Sequence, residues 1–287
     1  MARHMLPMVM LLLLLSCRQG TQKVFDAHLH GEADVPAQLA GLVRAGVYRA
    51  AVSTSWAQQD RYRRTTQLDL LFGLMFPCPN GRVPYSLQPC FSDGKDWPTV
   101  DWVAEQIEAG KIDFLGEILS QYYGISPSDS LMMPYYALAQ QYHIPVGIHT
   151  GSAGPGHGAP NFSEALGTPS HLEALLSKFP GLKVWIMHAG DGYYLDAIAI
   201  MERHGQVYAD ISVLTNPTIV SPGRFATIMR AFVASGLEDR LMFGTDNGDV
   251  RQAIAAVEGL SFLSSHQKKD IYYRNAERFF AKSTTLR

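Results

Sequence analysis

Six side chains in this sequence are of the kinds that bind metal ions, and each sits where an apolar run gives way to polar chain: His28, His30, Glu117, His149, His188 and Asp246. His28 and His30 are two apart, so on a strand they share a face. Imidazole and carboxylate donors suit Zn2+, Mn2+ or Fe2+. Each residue alone has a plainer reading. A single strand His is more often a hydrogen-bonded core residue, Glu117 could sit in an ion pair, and Asp246 could cap a helix. Buried together, the six would be costly without compensating positive charge, which one or two Zn2+ ions would supply.

Bringing them together requires a fold that gathers strand ends. From Lys23 onward, short apolar runs alternate with longer amphipathic stretches, the pattern of a parallel sheet crossed by helices. Candidate strands are Val24–His30, Tyr48–Ser53, Leu70–Phe76, Ile112–Ile118, Pro145–His149, Lys183–His188, Gln206–Ser212 and Arg240–Thr245. Several are almost wholly apolar, as strands buried on both faces are. The expected class is α/β, a (β/α)8 TIM barrel. All its strand C-termini open on one face, where active sites are built. Between the strands, Asp34 is placed to cap a helix with Val35, Leu39, Leu42 and Val43 on one face and Gly46 at its end. Ser170 is placed to cap His171–Phe179, which stops at Pro180-Gly181. Leu131–Tyr142 and Arg224–Ala234 have similar apolar spacing. Two long irregular loops, Pro77–Pro98 and Gly151–Pro169, follow the third and fifth strands.

The 287 residues, 47% apolar and 17% charged, provide for one large domain, although length alone would also allow two smaller ones. With a formal charge of −2 and no block of Lys and Arg, there is no electrostatic reason to expect a nucleic-acid partner. The opening MARHMLPMVMLLLLLSC has the form of an export signal: Arg3, then an apolar stretch of signal-peptide length from Met5 to Leu15. Leu14-Leu15-Ser16-Cys17 resembles a bacterial lipobox, in which the Cys becomes the lipidated N-terminus. Residues 1–17 are therefore expected to be signal and lipidation site, and 18–287 a single barrel domain. The expected setting is the periplasm or cell surface, with lipid as the only membrane attachment; a plain secretory signal is the alternative. In an oxidising compartment Cys78 and Cys90 are expected to pair as a disulfide, ahead of a two-Cys metal site.

Several motifs together resemble the amidohydrolase superfamily. Phe25-Asp-Ala-His-Leu-His30 is similar to its opening strand and Pro145-Val-Gly-Ile-His-Thr-Gly151 to its fifth. The stretch from Leu172 to Gly190, ending Lys-Val-Trp-Ile-Met-His-Ala-Gly, resembles the fifth helix and sixth strand of the amidohydrolase-related group, which includes the aminocarboxymuconate-semialdehyde decarboxylases. Arg240-Leu-Met-Phe-Gly-Thr-Asp246 matches the eighth strand and Asn275-Ala-Glu-Arg-Phe-Phe280 the terminal helix. The resemblance spans essentially the whole mature chain. Decarboxylase-like members bind one metal, whereas Phe114-Leu-Gly-Glu117 is similar to the two-metal subset, TatD-type deoxyribonucleases among them.

The resemblance implies a metal-dependent hydrolase of a small molecule, with an ester, amide, lactone or phosphoester as the bond attacked by metal-activated hydroxide. In its two-metal form, with Zn2+ the expected ion, the residues His28, His30 and Asp246 hold the buried ion, His149 and His188 the outer one, and Glu117 bridges. Asp246 then takes the proton from water and passes it to the leaving group. In a one-metal form, His188 instead serves as acid and base. His157, Tyr122, Tyr123 and Asn247 are candidate substrate contacts, and Trp56 a pocket wall or a packing residue. The alternatives are a mononuclear decarboxylase-like enzyme and a non-catalytic lipoprotein that binds a metal or ligand. The sequence does not specify an oligomeric state.

Overall fold

The computed structural model of the chain describes residues 22–64, 67–77, 97–152 and 159–282. Cys17, Cys78, Cys90 and His157 lie outside them, and so do the expected lipidation and disulfide. Eight parallel strands pair in sequence order: β1 Val24–His30, β2 Val47–Thr54, β3 Asp69–Leu74, β4 Phe114–Ile118, β5 Val146–Ile148, β6 Val184–Ile186, β7 Val207–Asp210 and β8 Leu241–Met242. Among the described residues no helix is long and apolar enough to cross a membrane.

The sheet curls until β8 meets β1, forming a TIM barrel. At this seam the Ala27 N–H donates to Phe243 O (2.9 Å) and the Asp246 N–H to His28 O (2.8 Å). The fully buried Asp26 carboxylate reinforces it, accepting from the Thr245 N–H (3.0 Å) and the Thr245 hydroxyl (2.6 Å). Burial pushes the Asp26 carboxyl up to about 6 against those hydrogen bonds.

Apolar side chains fill the lower part of the barrel. Phe25, Ala27, Ala51, Leu71, Phe114, Trp185, Met187 and Met242 form one buried cluster, with Phe279 and Phe280 of the terminal helix beneath it. The Trp185 ring lies 5.3 Å from both Phe114 and Phe280. Small residues make room for these rings, since a Cβ on Gly147 would sit 2.4 Å from Trp185 and one on Gly73 2.2 Å from Phe114. Gly147→Ala is therefore expected to cost about 1–3 kcal/mol through overpacking. Thermal denaturation should show it, and an unchanged melting temperature would mean that Trp185 has room to move.

The helix Val35–Ala45 begins at Asp34, whose side chain caps Ala37 N–H, and ends at left-handed Gly46. Val43 does not join its buried face: it is 42% exposed, while Val35, Leu39 and Leu42 are covered. Ser170 does not cap a helix either. It lies inside a 3-10 turn, Pro169–Leu172, that leads into a shorter helix, Glu173–Lys178. Proline fits the first turn because the unused N–H there is one it lacks. The helices Met133–Gln141 and Pro222–Ala234 fall near their expected places, the second capped by Ser221. The later strands are shorter than their apolar runs because the chain leaves the ladder early to present side chains at the mouth of the barrel.

Candidate metal centre

Strict alternation along β1 would turn His28 and His30 away from Phe25 and Ala27. A bulge between Asp26 and Leu29 resets the alternation, so both pairs face the barrel interior. β4 repeats the device: a register shift between Leu115 and Ile118 lets Phe114 and Glu117, three apart, both point inward. An extra residue in one strand re-aims whatever follows it, at the cost of local pairing. Close approach at the seam also needs Gly244, where a Cβ would lie 2.9 Å from that of His28.

The other three side chains come from beyond strand ends. His149 follows β5 directly. His188 has φ 62° and opens a run of positive-φ residues through Ala189, Gly190 and Asp191. Asp246 and Asn247 are also left-handed, with φ 49° and 59°. Such a conformation costs roughly 1–2 kcal/mol per non-glycine residue. Here it swings His188 and Asp246 back over the barrel axis.

All six predicted side chains meet. His30 Nε2 is 3.0 Å from Glu117 Oε2 and 3.2 Å from Asp246 Oδ1. His28 Nε2 is 3.8 Å from Asp246 Oδ1 and 3.9 Å from Glu117 Oε2. Across the site, Glu117 Oε1 is 2.6 Å from His149 Nδ1 and 3.6 Å from His188 Nε2. Among the described residues, three overlapping groups could hold an ion: His28, His188 and Asp246; His28, His30 and Glu117; Glu117, His149 and His188.

This arrangement fits a cation. Imidazole nitrogens face each other in pairs, His28 Nε2 with His30 Nε2 at 3.4 Å and His188 Nε2 with His149 Nδ1 at 3.3 Å. Two ring nitrogens at such range cannot both donate. His30 Nδ1 and His149 Nε2 are buried without a hydrogen-bond partner among the described residues. Charge points the same way. Burial disfavours a charged His28, but Asp210, Asp246 and Glu117 outweigh it and push the ring up to about 9. His30, equally buried, is pushed up to about 10 by hydrogen bonds to Asp246 and Glu117. Burial opposes ionisation of Glu117 as well, yet the surrounding imidazoles hold its carboxyl well below the usual range. The cluster therefore draws in positive charge, as protons or as the divalent ion that displaces them.

Two residues not singled out from the sequence complete the cluster. Asp210 ends β7, with Oδ2 3.0 Å from His28 Nδ1, and the Ser212 hydroxyl is 2.9 Å from His188 Nδ1. The available signal was an Asp-Ile-Ser at the end of an apolar run, in the same position as the polar ends of the other strands.

The expected substrate contacts are placed differently from one another. Tyr122 is fully buried, with its ring 5.3 Å from and edge-on to His149, in a small apolar cluster with Met75, Leu119 and Ala159. Tyr123 is partly buried against Trp97, ring centroids 5.7 Å apart. Asn247 is committed to the protein: its Oδ1 accepts the His30 N–H at 2.9 Å and its Nδ2 donates to Glu32 at 3.2 Å. It thus braces β1. Trp56 packs edge-on against Trp102 at 4.7 Å.

A family model described as amidohydrolase matches residues 78–282. No curated protein matches the sequence. Solved structures share the fold. An uncharacterized TIM-barrel protein of Bordetella bronchiseptica has a TM-score of 0.66 at 17% identity, over 91% of this chain and 99% of that one. A probable 2-pyrone-4,6-dicarboxylic acid hydrolase of Acinetobacter baumannii has a TM-score of 0.60 at 14% identity, over 90% and 99%. The 5-carboxyvanillate decarboxylase of Sphingomonas paucimobilis has a TM-score of 0.60 at 12% identity, over 91% and 100%.

Proposed function

We propose, from the premise that this chain belongs to the amidohydrolase family, that it hydrolyses an ester, lactone, amide or phosphoester bond of a small molecule at a two-metal centre. The observation that carries this reading is the placement of Glu117. Its two oxygens face different imidazoles, Oε2 toward His30 and Oε1 toward His149. A shared anion of this kind offsets the repulsion between two neighbouring cations. In this reading His28, His30 and Asp246 would hold one ion and His149 and His188 the other, with Glu117 shared between them. The chemistry the ions supply when bound is Lewis acidity and a water acidic enough to react near neutral pH.

The chain's own residues do the rest. Asp246 is the most open of the six, with 13% of its side chain exposed against 4% or less for the others. It is placed to accept the proton of the attacking water and return it to the leaving group. The buried Tyr122, packed edge-on against His149 amid apolar neighbours, helps to keep bulk water from that ring.

The likeness to a pyrone hydrolase makes lactones the first substrate class to try. A panel of lactones, esters, amides and phosphoesters should show turnover that a chelator abolishes and Zn2+ or Mn2+ restores. Turnover that survives complete metal removal would defeat the proposal. A one-metal decarboxylation is the second reading, supported by the likeness to a decarboxylase, with His188 as acid and base. The metal count separates the two.

A further inference from the structure

We propose that Asp210 and Ser212 are positioning residues that fix the proton of His28 and of His188 on Nδ1, so that both rings direct an Nε2 lone pair into the metal centre. The inference rests on the reading that these two rings bind metal.

Both residues are fully buried at the end of β7, under the cluster. The Ser212 hydroxyl sits among three groups: Asp210 Oδ1 at 2.5 Å, His188 Nδ1 at 2.9 Å and His28 Nδ1 at 3.0 Å. A hydroxyl has one proton to give and two lone pairs to accept with. The carboxylate can only accept, so the hydroxyl proton goes to Asp210. Ser212 Oγ is then left as an acceptor for both rings, and each ring must bring its proton on Nδ1. Asp210 Oδ2, 3.0 Å from His28 Nδ1, accepts from that same ring nitrogen. For both rings the Nε2 atom is the free one, and it is Nε2 that faces Glu117.

Asp210 also holds the backbone that carries one of these rings. Its Oδ1 accepts the N–H of His188 at 3.2 Å and of Ser212 at 3.0 Å. The left-handed turn at His188 is thus tied to β7. His149 provides the contrast. It presents Nδ1 to Glu117 and leaves Nε2 buried, with no partner and no carboxylate–hydroxyl pair behind it among the described residues. Partners behind a metal-binding His fix its tautomer and raise its basicity, and their loss typically costs 10–100-fold in metal affinity. Here one pair serves rings on two strands, so a single change should loosen both.

The test uses the full chain, with Zn2+ affinity read by competition with a chelator and the imidazole N–H signals of the zinc-loaded protein read by 15N NMR. Ser212→Ala should weaken zinc binding about 10–100-fold and shift or lose the Nδ1–H signal of His188. Asp210→Asn should disturb the signals of both His28 and His188. Ser212→Thr, which keeps the hydroxyl, should restore affinity and signals. Should Asp210→Asn fail to fold, the Ser212 pair of variants decides alone. Unchanged zinc affinity and unchanged Nδ1–H signals in Ser212→Ala, whatever happens to its melting temperature, would overturn the proposal. A wild type that binds no zinc would instead overturn the metal-centre reading beneath it.

Discussion

Glu117→Gln should lower the metal content of the protein from about two ions per chain towards one, the spacing of paired sites being about 3.5–4 Å. Glu117 takes part in two of the three groups that could hold an ion. Gln keeps the shape but removes the charge, and its amide nitrogen offers no lone pair to a cation. Whichever end carries that nitrogen, one ion loses a donor and both lose the anion between them. The ion held by His149 and His188 should leave first, because it has only two neutral rings besides position 117. The other keeps His28, His30 and Asp246. Metal analysis of wild type and variant after identical dialysis decides the matter. One ion in both proteins, with activity retained in the variant, would make Glu117 structural and move the one-metal reading ahead.

Asp246→Asn should lower turnover at least about 100-fold, the lower end of what general acid–base catalysis contributes. Metal content should fall much less. The amide oxygen can still face His30, where Asp246 Oδ1 lies 3.2 Å from Nε2, but it cannot take up a proton. The geometry that assigns this role is exposure: among the six described side chains Asp246 is the most open. Steady-state kinetics on a substrate found in the panel, set beside metal content, is the measurement. Turnover near that of wild type would remove Asp246 from proton transfer.

The barrel was legible because its signal is repeated and local. β1 has the bounds its apolar run implied, Val24–His30. The later strands were legible in place but not in extent. The run Arg240–Thr245 yields only Leu241–Met242 as ladder, because the Thr245 and Asp246 N–H groups turn to His28 O across the seam. The six side chains were legible from their residue types and their places at strand ends. What placed them was not. The bulges in β1 and β4 leave no mark in a hydrophobic pattern, since they change which face a residue joins and not whether it is buried. Asp210 and Ser212 read as the start of a loop, and only their distances to ring nitrogens reveal a purpose. Val43 shows the opposite limit, an apolar residue at helical spacing that finds nothing to cover it.

The seam between β8 and β1 sets the order in which this protein can be made. Asp26 and Thr245, which lock it, are 219 positions apart in sequence. A nascent chain extending only through β7 already contains His28, His30, Glu117, His149, His188 and Asp210, yet it lacks Asp246 and any strand to close the ring. Until the last strand emerges, β1 waits with one edge unpaired, and exposed strand edges invite pairing with other chains. Contacts so distant form late and slowly, because the closure entropy is met before the contact rewards it. The candidate site is therefore finished last, in the same event that completes the fold, and a truncated translation product would carry five of its six side chains without the closed barrel that brings them together.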